Sequence, residues 1–174
     1  KAEAETRVRE LTEDALIVRT AAFFGAWDAH NFVVQALRAA AAGRPFAAAT
    51  DLTVSPTHVP ELVDATLDLL LDGERGVWHL ANQGAITWAE LAARAVGMAG
   101  LPAGSVEPRP HRELHLSARR PRFSALDSAR GRLLGPLDRA LEKCVAEWRD
   151  DLGMPAPMAS EPRRNRSAPS WSSG

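Results

Sequence analysis

Opposite charges stand four residues apart at the start of the chain, as in Glu3 with Arg7 and Glu5 with Arg9. This predicts a solvated helix over residues 1–11, with Val8 and Leu11 on its buried side. The turn Thr12-Glu13-Asp14 leads into Ala15-Leu16-Ile17-Val18-Arg19-Thr20, an apolar run that reads as a strand buried on both faces. Past Gly25, Asn31 is suited to cap an amphipathic helix that runs to Ala42 and stops at Gly43. Residues 45–50 predict a short strand, and residues 51–60 a polar loop with two prolines. In the next helix Leu62, Val63, Ala65, Thr66, Leu69 and Leu70 follow helical spacing, and Pro60 fits its first turn. Val77 to Asn82 is a second buried strand. Thr87-Trp88-Ala89-Glu90 is a capping box opening a helix to Met98, which Gly100 and Pro102 stop. Residues 103–121 are rich in Pro and Arg, with Val106–Arg109 as an edge strand. A short extended piece follows at 122–127, a helical turn capped by Ser128 runs through Leu134, and a final helix runs from Leu137 to about Leu152.

Helices and strands thus alternate, which predicts an α/β domain with parallel strands. In open sheets of this class the ligand crevice lies beyond the carboxyl ends of the strands, here Arg19, Thr20 and the loop to Asn31. At 174 residues the chain is long enough for one domain with a real core, and 45% hydrophobic against 25% charged residues is ordinary for a globular protein. A net charge of −1 advertises no polyanion, so nucleic acid is not an expected partner. The single Cys144 excludes an internal disulfide and reads as a packed thiol. No stretch reads as a signal peptide or membrane span, so no membrane partner and a cytoplasmic location are expected. The charged helix at the first residue, with no lead-in, suggests an upstream domain of the same polypeptide. From Met154 the chain is rich in Pro, Ser and Arg, and residues 151–174 are expected to be a disordered tail.

The order of the motifs adds more. Leu16-Ile17-Val18-Arg19-Thr20, Gly25, Asn31-Phe32, Ser55-Pro56-Thr57, Gly76-Val77-Trp78-His79-Leu80-Ala81, Thr87-Trp88-Ala89-Glu90-Leu91-Ala92, and Arg119-Arg120-Pro121 to Ser124-Ala125-Leu126-Asp127 follow one another in this chain. The succession resembles the C-terminal half of the dTDP-4-dehydrorhamnose reductases, in the extended short-chain dehydrogenase/reductase family, over residues 1–148. The resemblance implies the C-terminal part of a Rossmann-type parallel sheet with its substrate-binding cap, over residues 1–150. It implies reduction of a dTDP-4-keto-6-deoxysugar with NADPH or NADH, the cofactor being bound mainly by an N-terminal half that carries the glycine-rich loop. The expected partners are a nucleotide-sugar substrate and a second copy of the chain. Lys1, followed by Ala2-Glu3-Ala4-Glu5, matches the lysine of the family's Tyr-x-x-x-Lys pair, whose ammonium lowers the tyrosine's pKa for proton donation.

Each candidate has a plainer reading beside this one. Lys1 is catalytic or simply begins a solvated helix. Arg19 and Thr20 line the cofactor crevice, or Arg19 pairs with nearby carboxylates. Asn31 contacts the sugar-nucleotide diphosphate or only caps its helix. Ser55 and Thr57 offer hydroxyls to a substrate or form a turn, and Arg119 and Arg120 clamp a diphosphate or belong to a solvated loop. His79 reads as a satisfied core histidine, and His30, His58, His111 and His115 have no metal-site spacing. Trp27, Trp78 and Trp88 read as core or crevice wall. Rhamnose-type reductases have Ser-Trp where this chain has Ala21-Ala22, and Gln and Gly where it has Leu52 and Val54. These departures favour an alternative: a non-catalytic sugar-nucleotide-binding or regulatory module. The chain also looks like the reductase-like modules fused behind family 1 glycoside hydrolase-like domains.

Overall fold

Helices and strands alternate along the chain largely as the apolar pattern predicts. In order they are α1 (Ala2–Leu11), β1 (Leu16–Arg19), β2 (Phe23–Phe24), α2 (Phe32–Ala41), β3 (Phe46–Ala49), β4 (Thr53–Val54), β5 (Thr57–His58) and α3 (Val59–Leu71). Then follow β6 (Gly76–His79), β7 (Ile86–Thr87), α4 (Trp88–Met98), β8 (Val106–Arg109), β9 (Phe123–Ser124) and α5 (Leu137–Asp151). The structure, a computed structural model, describes residues 1–116 and 118–152. Asp151 still belongs to α5. The predicted tail from residue 153 onward, with Arg163, Arg164 and Arg166, lies outside the described residues.

Four strand pairs are parallel: β1 with β6, β2 with β5, β3 with β8 and β4 with β9. The first aligns Leu16 with Gly76 and Arg19 with His79, so those two polar side chains stand together at the carboxyl ends of their strands. β4 lies between β7, antiparallel to it, and β9, parallel to it. The stretch predicted as a polar loop over 51–60 is therefore two short strands. Each has two residues, too few to show an alternating period, and side-chain polarity there reflects hydrogen bonding rather than exposure.

Two clusters form the main core. Val33, Val34 and Leu37 of α2 meet Leu91 and Ala95 of α4 and Leu137, Leu141, Cys144, Val145 and Trp148 of α5. Beside them Ala36, Ala40, Ala89 and Ala92 let α2 and α4 approach closely over Ala48 and Val106. Burial pushes the Cys144 thiol up to about 12, as expected of a packed and unreactive cysteine. A third cluster joins Ala65 and Leu69 of α3 to Trp78, Leu80 and Leu134 beneath β1 and β6. The capping box is formed: Thr87 Oγ1 accepts from Glu90 N at 3.2 Å, and the Glu90 carboxylate accepts from Thr87 N at 2.9 Å.

Several expectations are corrected. β1 is half-buried rather than covered on both faces: Leu16 and Val18 pack on the α3 cluster, while Ile17 points the other way and β6 is the strand's one partner among the described residues. Leu11 is 85% exposed and α1 buries nothing, because Glu5 and its ion pair with Arg19 are what the helix lays against the strand. Glu5 thus pairs with Arg19 and not Arg9, whereas Glu3 and Arg7 pair as expected. On α3 only Ala65 and Leu69 are buried, and Val63 and Leu70 face outward. Ser128 caps no helix; the segment from 128 to 135 is irregular, held by side-chain bonds to its carbonyls. Trp27 is exposed, its indole folded back over Gly25, where an added Cβ would lie 3.0 Å from Nε1.

Leu141→Ala is expected to cost about 2–5 kcal/mol, since the side chain is fully enclosed by three helices. Thr87→Ala, removing the α4 cap, is expected to cost about 1 kcal/mol. Urea unfolding monitored by circular dichroism measures both.

Candidate functional site

Beyond the carboxyl end of β6 the chain turns at Asn82-Gln83-Gly84 and walls one side of a cavity of about 410 Å³. Gly84 makes the turn at φ +126°, a conformation that a residue with a Cβ adopts only under strain. The opposite wall is the segment from Phe123 to Ser128, which leads out of β9. Two buried or half-buried side chains hold that wall in place. Ser55 Oγ donates to Leu126 O at 3.3 Å and accepts from Leu126 N at 3.0 Å. His79 Nδ1 lies 3.0 Å from Asp127 O, and its Nε2 lies 3.3 Å from an Arg19 guanidinium nitrogen. Arginine only donates, so Nε2 accepts, and the Nδ1–H of a neutral ring donates to the Asp127 carbonyl.

Arg19 is fixed in turn by Glu5, whose Oε2 accepts from its Nε at 3.0 Å and its Nη2 at 2.7 Å. That contact holds the Glu5 carboxyl below its ordinary value and Arg19 above its own. At the cavity mouth the Asp127 carboxylate accepts from Arg132 Nε at 3.1 Å, from Arg132 Nη2 at 3.0 Å and from Ser128 N at 2.9 Å. The Arg132 hydrogen bonds, then that of the Ser128 amide, hold Asp127 below the usual carboxylate range.

The floor is built on Asn82, which is 1% exposed. Its Oδ1 accepts from His58 N at 2.8 Å, and its Nδ2 donates to Glu61 at 2.7 Å and to Gly135 O at 3.1 Å. Glu61 also accepts from Lys143 Nζ at 2.7 Å. Burial pushes the Glu61 carboxyl up, but the bonds from Lys143 and Asn82 outweigh it and leave it below its ordinary value. His58, 2% exposed, stacks at 5.3 Å on Phe24, and neither ring nitrogen has a hydrogen-bond partner. Burial therefore lowers its pKa and keeps it neutral, although Glu61 lies 3.9 Å away.

The residues singled out from the sequence are only partly brought together. Ser55 lines the cavity. Thr57 is fully buried behind it, its Oγ1 accepting from Thr20 Oγ1 at 3.1 Å. Asn31 caps α2 by accepting from Val34 N at 3.1 Å, while its Nδ2 donates to Gly25 O at 2.7 Å and Asp28 O at 2.6 Å, so both ends of the amide are engaged. Lys1 is exposed ahead of α1. Arg119 and Arg120 are exposed on the segment entering β9 and do not line the cavity. His79 is satisfied, as its strand position suggested, but it lines the cavity rather than the core. Sequence reasoning passed over Asn82, Asp127 and Arg132. An asparagine closing an apolar strand was a signal for the first, and the motif from Ser124 to Asp127 contained the second; nothing in the spacing marked Arg132. Among the described residues no three His, Cys, Asp or Glu side chains gather as a metal site, and no helix is long and apolar enough to cross a membrane.

Residues 1–153 match the RmlD substrate binding domain family. The chain belongs to that family. It is 33% identical over 141 residues to a dTDP-4-dehydrorhamnose reductase of Streptomyces griseus, covering 78% of this chain and 46% of that protein. The enzyme of the same name from Mycolicibacterium smegmatis is 30% identical over 153 residues, 87% of this chain and 45% of its own. Among solved structures, the Bacillus anthracis dTDP-4-dehydrorhamnose reductase in complex with NADP superposes with a TM-score of 0.77 at 28% identity, over 84% of this chain and 53% of that one. The Yersinia enterocolitica reductase, at 22% identity and a TM-score of 0.78, shares the fold. The chain spans about half the length of the curated relatives it matches. The α/β fold with parallel strand pairs is thus that of the Rossmann-type reductases, and the cavity lies in the family's substrate-binding domain.

The unfolded chain protonates His58 near the ordinary value of 6.5, the folded protein only below it. Stability is expected to be full above that pH and to fall as the pH drops through it, because unfolding then takes up a proton. His58→Phe, which needs no polar partner, is expected to flatten this dependence in urea titrations run between pH 5 and 8. An unchanged slope would show that His58 does not carry it.

Proposed function

We propose that the full-length protein containing this chain reduces the 4-keto group of a dTDP-activated 6-deoxysugar, dTDP-4-dehydrorhamnose to dTDP-L-rhamnose, with NADPH or NADH. In this reading the present chain is the half that holds the sugar nucleotide. The observation that carries it is the position of the cavity: beyond the carboxyl end of a parallel strand, and closed by a separate segment, in a chain of the RmlD substrate-binding family. The described residues do not fit a whole dinucleotide. They include no glycine-rich strand-to-helix turn, and the Thr20 hydroxyl is committed to Thr57. The cofactor is therefore assigned mainly to residues outside this chain. Lys1 is the ammonium that would lower the pKa of a tyrosine donor supplied from outside the described residues. Ser55 holds the substrate-facing wall and Thr57 braces it through Thr20, while Arg119 and Arg120, exposed on the segment entering β9 and outside the cavity, are assigned to any part of the ligand that extends beyond it.

One observation favours a second reading. Ala21 and Ala22 are small where rhamnose-type reductases carry Ser-Trp, which removes an aromatic surface and a hydroxyl from the loop that follows β1. A protein so altered would bind a sugar nucleotide and not turn it over.

Calorimetric titration of the full-length protein with dTDP-rhamnose and NADPH separates these readings. Binding of both, with NADPH oxidised on addition of the 4-keto sugar, is the expected result. Sugar-nucleotide binding without turnover makes it a binding module, and binding of neither sinks both readings. Ser55→Ala, which removes both side-chain bonds to Leu126, is expected to weaken dTDP-rhamnose binding by about 1 kcal/mol.

A further inference from the structure

The polar groups that line the cavity beyond β6 are largely spent on the protein itself. Ser55 both donates to and accepts from Leu126, both His79 nitrogens are partnered, Asn82 is buried in its own network, and Gln83 Nε2 donates to Leu134 O at 2.9 Å. Among the lining residues the full charges are Asp127 and Arg132, whose side chains are 71% and 62% exposed. They sit at the mouth, and each can be released without uncovering the core.

The arrangement around Asp127 resembles a filled anion site. Three N–H groups, Nε and Nη2 of Arg132 and the main-chain N of Ser128, converge on one carboxylate, at 3.1, 3.0 and 2.9 Å. The two parallel guanidinium donors have the fork geometry that fits two oxygens of a carboxylate or of a phosphate equally well. An exposed pair of this kind is worth little in water, so a ligand carrying two negative charges, drawn more strongly to the same three donors, can displace the single carboxylate.

We propose that Arg132 is the anion-binding residue of this cavity, exchanging the Asp127 carboxylate for phosphate oxygens of a nucleotide-diphosphate ligand. Asp127 is the internal anion that fills the donors until the ligand arrives. The inference rests on the sugar-nucleotide reading for the identity of the ligand, but not for the existence of the anion site. It also separates this arginine from Arg119 and Arg120, which do not line the cavity.

Titrating the full-length protein with dTDP-rhamnose and, separately, with inorganic pyrophosphate tests it. Arg132→Gln is expected to weaken both by about tenfold or more, as loss of a charge-assisted pair does. Arg132→Lys, keeping the charge but not the fork, retains part of the affinity, and Asp127→Asn, removing the competing charge, tightens pyrophosphate several-fold. Unchanged thermal melting of Arg132→Gln is expected from its exposure and shows that any loss is not unfolding. Wild-type binding that Arg132→Gln leaves untouched overturns the proposal. Pyrophosphate binding that depends on Arg132, with no binding of dTDP-rhamnose, keeps the anion site and overturns the sugar-nucleotide reading. Binding of neither ligand by the wild type overturns both.

Discussion

The site depends on one buried amide. Asn82 lies just beyond the carboxyl end of β6, and its two polar atoms meet the start of α3 on one side and the lead-in to α5 on the other. A buried amide left unpaired would cost several kcal/mol, roughly 1–3 per lost partner, so the three elements cannot drift apart without exposing or orphaning it. That requirement places α3 and α5 on the same side of β6. The free ends of the cavity floor follow, because Gln83 exchanges main-chain bonds with Gly135 and Leu137 just beyond. Glu61 and Lys143 close the network at its rim, where charge is tolerated.

Much of this was legible in the sequence. Helices long enough to repeat an apolar spacing, such as α2, α4 and α5, fall where the pattern puts them, and the Thr87–Glu90 box and the Asn31 cap mark their starts. The parallel strands β1, β3, β6 and β8 were legible too. Their burial was not, because an apolar run records what a strand can bury and not what lies against it: Ile17, Leu16 and Val18 are only half-buried, and Leu11, as apolar as they are, is 85% exposed. Of the two-residue strands, β9 falls within the extended piece read over 122–127, while β4, β5 and β7 were invisible for a different reason. β4, β5, β7 and β9 are fixed by pairing partners far away in the chain, and Ser55, Thr57 and His58 look like loop residues although each is almost fully buried.

The candidate site was read in outline. The resemblance pointed to Ser55, and the crevice rule pointed to the end of β1, with Arg19, Thr20 and the loop to Asn31, whereas the cavity opens beyond its neighbour β6. What decides the chemistry lay in the irregular stretch after β9, where Asp127 and Arg132 come together across five residues without any helical period. The helical turn expected there after Ser128 would have placed them differently. It does not form; the segment is irregular, and the Leu134 and Gly135 carbonyls at its end accept from Gln83 Nε2 and Asn82 Nδ2.

The wall that carries Asp127 also takes its orientation from a strand it does not touch. His79 could present either ring nitrogen to the Asp127 carbonyl, and a neutral imidazole carries a proton on only one. Arg19, aligned with His79 in the β1–β6 register, can only donate, so it claims Nε2 as an acceptor and leaves the proton on Nδ1, where the carbonyl needs it. Glu5 holds Arg19 at that angle from α1. The charge sequence from Glu5 through Arg19 to a neutral His79 thus selects a tautomer, and the tautomer selects the position of the segment that closes the cavity. The cavity wall is therefore set by a helix, a strand and a loop acting in series, and not by the loop alone.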